Sequence, residues 1–297
     1  MSIIGSTASG KSAVAMEVAR RLGDVELISV DSMQVYRGMD IGTAKPTPAE
    51  RREVRHHCLD LVEPTDEFTV GDFQEAHDAA RADIGARGKR CLLVGGTGLY
   101  HRVVIDRFDL PGEFPDVRAG LEQQPDTAAL HARLSELDPA AAAKMEPENR
   151  RRVVRALEVT VGSGRPFSSF GPGVDAYPDP PVTQIGVRRP REVVAERVEQ
   201  RVHAMIAEGL VEEVERLLGA GGFSRSSGQA LGYKEIVQCV RGEIDKDAAI
   251  DMIITRTRQF AVRQERWFRR DPRVRWVDVD HDPVAEVAPV VIDALTR

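Results

Sequence analysis

Short apolar runs alternate with longer stretches of helical periodicity along most of the chain. The apolar runs predict strands at residues 2–4, 25–30, 90–94, 182–187 and 274–279. Helical patterns lie at 11–22 and 73–86, and over most of 190–270 apart from a glycine-rich break at 219–228. Strands that alternate with helices form parallel sheets that are covered on both faces. The pattern therefore predicts an α/β fold with a doubly wound parallel sheet.

The texture of the sequence changes between residues 114 and 181. Helical patterns at 127–136 and 151–161 are followed by a stretch rich in glycine, proline and serine at 162–181. We therefore expect an all-helical insertion over 114–181. It would divide the α/β core into a first part, 1–113, and a second part, 182–297, which holds the last strands and the C-terminal helices.

Composition places the chain among globular proteins and excludes several other classes. Apolar residues make up 42% and charged residues 30% of the 297 positions. No apolar run approaches the roughly 20 residues that span a bilayer, so we expect no membrane partner. Three widely spaced cysteines, Cys58, Cys91 and Cys239, argue against a disulfide framework and favour the reducing cytoplasm. The formal net charge of −6 argues mildly against a nucleic-acid partner.

Positive charge is concentrated in one C-terminal window. Residues 256–275 hold eight arginines and two acids, a net charge of +6, so the other 277 residues carry −12. Smaller basic clusters are formed by Arg150, Arg151, Arg152 and Arg155, and by Arg188, Arg189 and Arg191. Clustered arginine in an acidic chain can build a phosphate-binding face. An ordinary solvated helix surface explains each single cluster equally well.

A glycine-rich loop separates the first predicted strand from the first predicted helix. It matches the phosphate-binding pattern G-x-x-x-x-G-K-[ST] at every fixed position with Gly5, Ser6, Thr7, Ala8, Ser9, Gly10, Lys11 and Ser12. Backbone N–H groups of such a loop converge on phosphate oxygens, and the helix N-terminus adds a favourable dipole. We expect Lys11 to neutralise phosphate charge and the Ser12 hydroxyl to bind Mg²⁺. The loop predicts a P-loop NTPase-like sheet with a polyphosphate or diphosphate ligand. The strand before the loop is unusually short, which is the pattern expected if a few residues precede Met1.

The acid that usually accompanies such a loop is missing from its expected place. The usual partner is an apolar strand that ends in an Asp, which holds Mg²⁺ through water, but the run at 90–94 ends in Gly95-Gly96-Thr97-Gly98. The strand at 25–30 does end in an acid, Asp31. Asp31 can serve a metal, act as a general base on an incoming nucleophile, or cap a turn.

Three segments together resemble the tRNA dimethylallyltransferase family in its bacterial form. They are the loop at 5–12, the segment DSMQVYRGMDIGTAKP at 31–46, and GGTGLY at 95–100. The resemblance continues through His56-His57 with Leu59-Asp60, and through 151–158, 229–235 and 255–268, so it covers nearly the whole chain. Ser6 stands where the family usually has proline, and Ser12 where threonine is common. The Cys/His-rich extension of eukaryotic members is absent.

This resemblance implies the transfer of a dimethylallyl group from its diphosphate to the N6 amine of the adenosine beside the anticodon of tRNA. The loop and Lys11, with Mg²⁺ as cofactor, would stabilise the diphosphate leaving group. Asp31 matches the acid that takes the amine proton. Thr97 matches a residue that contacts the leaving phosphate or the tRNA side of the site, although a helix N-cap also explains it. The expected partners are dimethylallyl diphosphate and the tRNA anticodon stem-loop, and the chain is expected to be a monomer.

The target base cannot react while stacked, so we expect it to be flipped into a channel through the protein. The residues that match tRNA contacts of the family are Asp31, Ser32, Met33, Gln34, Thr97, Arg118, Arg151, Arg152, Val153, Val154, Arg155, Gln229, Ala230, Leu231, Gly232, Tyr233 and Lys234. By residue type, Gln34 can pair with an adenine edge, the arginines can bind phosphate, and Tyr233 can stack on a base.

Several other features have ordinary explanations. Phe260, Arg263, Trp267 and Arg270 fall on one helical stripe, where we expect Phe260 and Trp267 to be core anchors rather than base stackers. We also expect a solvated face at Glu212, Glu213 and Glu215, ordinary helix positions for His101 and His203, and no structural metal at His56-His57-Cys58.

Two other functions share the same loop and sheet. A small-molecule or nucleotide kinase would turn over ATP, with the cluster at 150–155 as its lid. An adenylate isopentenyltransferase would prenylate the free nucleotide, and it would need neither a helical insertion nor a basic surface.

Overall fold

A central sheet of parallel strands organises the computed structural model, which describes residues 1–171, 173–179 and 182–296. The strands are β1 Ser2–Gly5, β2 Val25–Val30, β3 His56–His57, β4 Arg90–Gly95, β5 Gln184–Arg188 and β6 Val274–Asp278. Their order across the sheet is β3-β2-β4-β1-β5-β6, and each neighbouring pair is parallel. The predicted α/β fold class is confirmed.

Helices cover both faces of this sheet and also build the middle of the chain. They are α1 Lys11–Leu22, α2 Pro48–Glu53, α3 Val70–Ala86, α4 Gly98–Asp106, α5 Pro115–Glu122, α6 Thr127–Leu137, α7 Pro139–Ala142, α8 Arg150–Ser163, α9 Arg191–Ala207, α10 Leu210–Gly219, α11 Tyr233–Val240, α12 Lys246–Phe268 and α13 Pro283–Thr296. The bounds of α1 and β2 agree with the sequence pattern. The pattern gave no β3, because a two-residue strand shows no alternation, and no α2, whose single turn and a half depends on a Thr47–Glu50 capping box.

Alternating side chains of the sheet enter two separate cores. Leu27 and Leu92 pack on the side of α1 and α13. Their neighbours Ile28 and Leu93 pack on the other side, in the cluster that contains Phe73 of α3. All strands are parallel, so their carboxyl ends meet at one edge of the sheet, which is where ligands bind in such folds. Gly5 is the last residue of β1, and Asp31 and Gly96 directly follow β2 and β4, so the three residues are brought together at this edge.

The chain divides into two compact units. The first comprises Met1–Asp106 with Asp179–Arg297, and the second comprises Arg107–Pro178. The second unit contains α5 to α8 around a core of its own, which includes Leu130, Leu134 and Leu157. The insertion expected over 114–181 falls largely within this unit, and its residues 172, 180 and 181 lie outside the described part of the chain.

Candidate active site

The phosphate loop wraps around the start of α1 in a strained backbone path. Ala8 has a φ of 62° and Gly10 a φ of 98°, both in the left-handed region. A Cβ at Gly5 would lie 2.8 Å from both Ser9 Oγ and Val187 O, so only glycine allows the loop to close there. Ser9 is completely buried, and its hydroxyl has no hydrogen-bond partner among the described residues. The loop thus encloses one polar side chain that no described residue satisfies.

Lys11 carries a positive charge that the protein alone compensates poorly. Its Nζ donates a hydrogen bond to Ser6 O at 3.1 Å. Burial, and next to it the charge of Arg201, lower the pKa of Lys11 to about 8, although Asp31 opposes the shift. A bound phosphate would restore the ordinary pKa, because it supplies the missing negative charge.

Two arginines from α9 reach the phosphate loop, and the sequence analysis did not single them out. Arg197 Nε donates to Ala8 O at 3.1 Å, and Arg201 Nη1 donates to Thr7 Oγ1 at 3.3 Å. Burial, with the charge of Arg197, lowers the pKa of Arg201. The two are four residues apart on one helix face, a spacing visible in the sequence. The basic cluster at 188–191 drew attention instead, because it is contiguous.

Asp31 lines the same cavity as Lys11 and Arg201, which is about 500 Å³ in volume. Its Oδ1 accepts the backbone N–H of Met33 at 2.9 Å and that of Gln34 at 3.4 Å. Asp31 therefore does cap a turn, and these bonds use only one of its two oxygens. Thr97 lines the cavity nearby, and its Oγ1 accepts the backbone N–H of Ser32 at 3.2 Å. Ser32, the residue after Asp31, thus connects the predicted base Asp31 to Thr97.

The cavity is lined by charged and polar groups as well as by apolar side chains. Its apolar lining includes Val198, Val202 and Met205 of α9, and Ile253 and Phe260 of α12. Its polar lining includes Lys11, Ser12, Asp31, Thr97, Arg201 and Arg263. Phe260 is half-buried on this wall, so the expectation that it is a core anchor is wrong. Trp267 is partly buried and packs against a core cluster that contains Phe268, and a Cβ on Gly98 would lie 2.1 Å from its Cδ1.

The side-chain amide of Gln34 holds the adjoining loop. Its Oε1 accepts the hydroxyl of Ser29 at 2.7 Å, and its Nε2 donates to Thr43 O and Ala44 O at 3.0 and 3.2 Å. An adenine edge would have to compete with these bonds. Pairing of Gln34 with adenine therefore stays a prediction, while its grip on residues 43 and 44 is observed.

The segment 229–234 divides between the cavity wall and the core. Gln229, Ala230, Leu231 and Gly232 line the cavity. Tyr233 has no exposed surface, and its hydroxyl donates to Glu213 Oε1 at 2.6 Å. A ring without exposed surface cannot stack on a base, so that expectation is wrong. Lys234 is exposed, and its Nζ lies 3.3 Å from Gln229 Oε1.

Glu213 is the second correction in this region. It is buried rather than part of a solvated face, with only 4% of its surface exposed. Its carboxylate accepts the backbone N–H groups of Asp40 at 3.1 Å and Ile41 at 3.0 Å, besides the Tyr233 hydroxyl. Glu212 and Glu215 are exposed, as expected. Glu213 thus anchors the loop whose carbonyls Gln34 binds.

The second unit exposes only part of its predicted tRNA contacts. Arg151 and Arg152 are exposed on α8, whereas Val153 and Val154 are buried in the core of the unit, so their side chains are not a surface for RNA. Arg155 binds Glu158 at 2.7 Å. Arg118 binds Glu122 at 3.0 Å and lies 3.6 Å from Glu158. Contact of Arg118 and Arg155 with the substrate stays a prediction.

Comparison with known proteins decides the family. A family model described as IPP transferase matches residues 34–271. The chain belongs to the IPP transferase family. A curated tRNA dimethylallyltransferase from a Nocardioides species is 45% identical over 99% of this chain and 96% of the relative. One from Geobacter metallireducens is 48% identical over 92% of this chain and 90% of the relative.

Solved structures agree with this membership. The crystal structure of the full-length tRNA isopentenylpyrophosphate transferase from Bacillus halodurans has 39% identity to this chain and a TM-score of 0.71. The match covers 99% of this chain and 96% of that one. The family resemblance predicted from the three motifs is confirmed. In the described part of the chain, no helix is both long and apolar enough to span a membrane.

Proposed function

We propose that this chain transfers the dimethylallyl group of dimethylallyl diphosphate to the N6 amine of the adenosine beside the anticodon in tRNA. The observation that carries the proposal is one cavity that is lined by the cations of a phosphate-binding loop, by an acid and by apolar side chains. Lys11 and Arg201 contact the phosphate loop, and Asp31 and Thr97 lie just after the ends of β2 and β4. Family membership supports the same reaction, since the curated relatives are named for it.

The phosphate loop would stabilise the leaving group. As the bond between C1 of the dimethylallyl group and the diphosphate oxygen breaks, negative charge grows on that oxygen. Backbone N–H groups of the loop, Lys11 and Arg201 would stabilise this charge, and both side chains already contact the loop, at Ser6 O and Thr7 Oγ1. Their lowered pKa values in the unliganded protein support an anionic ligand.

The acceptor would lose its proton to Asp31. An aromatic exocyclic amine is a poor nucleophile, and forming the N6–C1 bond requires removal of one amine proton. The turn bonds leave one carboxylate oxygen of Asp31 free of those contacts. Val198, Val202 and Phe260 would surround the dimethylallyl group and exclude the water that would otherwise capture its carbocation-like carbon.

Mg²⁺ fits the donor set at the phosphate side. Ser12 is exposed and lines the cavity beside Lys11, so its hydroxyl oxygen can bind a cation together with diphosphate oxygens. Magnesium prefers oxygen ligands and keeps several waters when phosphates are its other ligands. When bound, it would supply further charge stabilisation for the leaving group.

The alternatives have less support from the same residues. The end of β4 carries Gly95, Gly96 and Thr97 rather than an acid, which disfavours the usual magnesium arrangement of an ATP-dependent kinase. An adenylate isopentenyltransferase would not need the second unit with exposed Arg151 and Arg152.

Label transfer tests the proposal directly. Labelled dimethylallyl diphosphate is incubated with unmodified tRNA or with AMP, and ATP-dependent phosphorylation is measured in parallel. We expect label in tRNA alone. Label in AMP without label in tRNA, or phosphate transfer from ATP, would overturn the proposal.

An Asp31→Asn variant tests the proton acceptor. Asparagine keeps the oxygen that caps the turn but is no base, so transfer should fall by about 10²–10⁴-fold while tRNA affinity is retained. Asp245→Asn, at the N-cap of α12 where Asp245 accepts the Ala248 N–H, is the matched control and should transfer at the wild-type rate. Retained turnover in Asp31→Asn would assign the proton to another group.

A further inference from the structure

A buried glutamine connects two of the segments that line the cavity. Gln264 lies on α12 with 7% of its surface exposed. Its Oε1 accepts the backbone N–H of Thr7 at 2.8 Å, and its Nε2 donates to Gly96 O at 2.8 Å. One short, uncharged side chain therefore binds the phosphate loop and the end of β4 at the same time.

Both contacts continue directly to groups of the site. At the phosphate loop, the hydroxyl of Thr7 accepts a hydrogen bond from Arg201. Beyond Gly96 comes Thr97, whose hydroxyl accepts the N–H of Ser32, the residue after Asp31. The amide of Gln264 is the link between these two series of contacts.

The chemistry of the link requires an amide. Thr7 N–H needs an acceptor and Gly96 O needs a donor, and a glutamine side chain supplies one of each. Glutamate would place a second acceptor against a carbonyl oxygen, and leucine would supply neither. The space is also fitted to this side chain, because a Cβ at Gly96 would lie 2.4 Å from Gln264 Nε2.

We propose that Gln264 is a positioning residue that fixes the distance between the diphosphate held by the loop and the acceptor amine held near Asp31. The proposal rests on the prenyl transfer proposed above. Misplacement of reacting groups by about 1 Å can cost on the order of 10²-fold in rate without loss of binding. Gln264 should therefore contribute to the rate of transfer more than to the affinity for either substrate.

The first test compares Gln264→Leu with Gln259→Leu, an exposed glutamine on the same helix. Single-turnover transfer, the KM for tRNA, the KM for dimethylallyl diphosphate and Tm are measured for both. We expect transfer by Gln264→Leu to be about 10²-fold slower, with each KM within about threefold of wild type. Gln259→Leu should match wild type. A wild-type rate in Gln264→Leu, or a loss that appears only in KM, would overturn the proposal.

A second variant gives a pH signature that a purely structural role would not produce, and it carries the test if Gln264→Leu does not fold. In Gln264→Glu the ionised carboxylate repels Gly96 O, but the protonated form can donate to it. The ratio of its rate to the wild-type rate should therefore rise as the pH falls. A ratio of the two rates that does not change with pH, including a constant ratio of 1, would contradict the assignment.

The contact itself can be tested from its other end. Gly96→Ala should slow wild-type transfer, because its Cβ displaces the Gln264 amide, and should have a smaller effect in a Gln264→Ala background, where that amide is absent. Equal effects in both backgrounds would refute the link. If wild-type protein forms no prenylated tRNA in these assays, the proposed function fails; if wild type is active and the Gln264 variants equal it, only the positioning role fails.

Discussion

The pair Tyr233 and Glu213 makes a sharp prediction, because one oxygen atom can be removed from a buried contact. The Tyr233→Phe substitution deletes a hydroxyl that donates to Glu213 Oε1 at 2.6 Å while it keeps the ring in place. Burial, and next to it the Glu213 carboxylate, raise the pKa of Tyr233, so the hydroxyl keeps its proton and remains a donor throughout the neutral range.

The magnitude follows from what remains after the change. A hydrogen bond to a charged group contributes about 1.5–3 kcal/mol. Glu213 would keep the backbone N–H groups of Asp40 and Ile41, so its charge is not left without partners. We therefore expect Tyr233→Phe to lower the free energy of unfolding by about 2 kcal/mol. For a domain of this size the Tm should fall by about 4–8 °C.

Thermal unfolding followed by circular dichroism measures this loss. Glu213→Gln should cost at least as much, because its NH₂ group replaces an acceptor that faces N–H donors, whereas Glu212→Gln on the exposed neighbour should change the stability by less than about 0.5 kcal/mol. If Tyr233 instead stacked on a base, phenylalanine would stack equally well and stability would not change. An unchanged Tm in Tyr233→Phe would therefore refute the hydrogen-bond account.

Four further predictions concern charge. Arg201→Met should weaken diphosphate binding about tenfold or more in calorimetry, because a charge-assisted contact to phosphate is lost; unchanged affinity would place the diphosphate elsewhere. Lys11, whose pKa burial lowers to about 8, should make diphosphate affinity in the absence of magnesium fall as the pH rises through 8, since the bound anion requires the charged form; Lys11→Met should lack this component. The pKa of Lys11 in the folded protein lies below the ordinary 10.5, so between pH 8 and 10.5 the unfolded chain binds more protons at Lys11 than the folded protein does. The contribution of Lys11 to the free energy of unfolding should therefore increase as the pH rises over that window. Replacing both Arg151 and Arg152 by serine should reduce the slope of log affinity for tRNA against log salt by about 1–2, whereas an unchanged slope would remove them from the RNA interface.

Local patterns were sufficient where a function depends on consecutive residues. The phosphate loop, the strand that ends at Asp31 and the turn before Thr97 each depend on backbone shape, which neighbouring residues determine. The parallel topology then brings the three strand ends to one edge. The phosphate loop, Asp31 and Thr97 could therefore be predicted from the sequence alone to lie together.

The residues that were missed act from distant helices. Arg201 and Gln264 reach the loop at residues 5–12 only through the packing of α9 and α12, which no local motif encodes. A weaker signal did exist for Glu213, since Leu210, Glu213, Val214 and Leu217 share one helix face and are all buried. A carboxylate on the apolar side of an amphipathic helix is buried with partners more often than it is solvated. Adjacency in the sequence does not reveal this difference between Glu213 and its exposed neighbours Glu212 and Glu215.

Ion pairs formed in the fold reduce the positive charge that the basic window at residues 256–275 can offer to a ligand. The window's net charge of +6 counts arginines that the fold pairs with acids, several of them outside the window. Arg256 binds Glu235, Arg258 binds Glu199, and Arg273 binds Asp106 and Asp271. The positive surface that can meet a polyanion therefore comes from fewer residues, among them the exposed Arg263, which lines the cavity. An acidic chain with few available cations binds RNA weakly except where those cations and the cavity engage together, so specificity for the tRNA should come from placement of charge rather than from its amount.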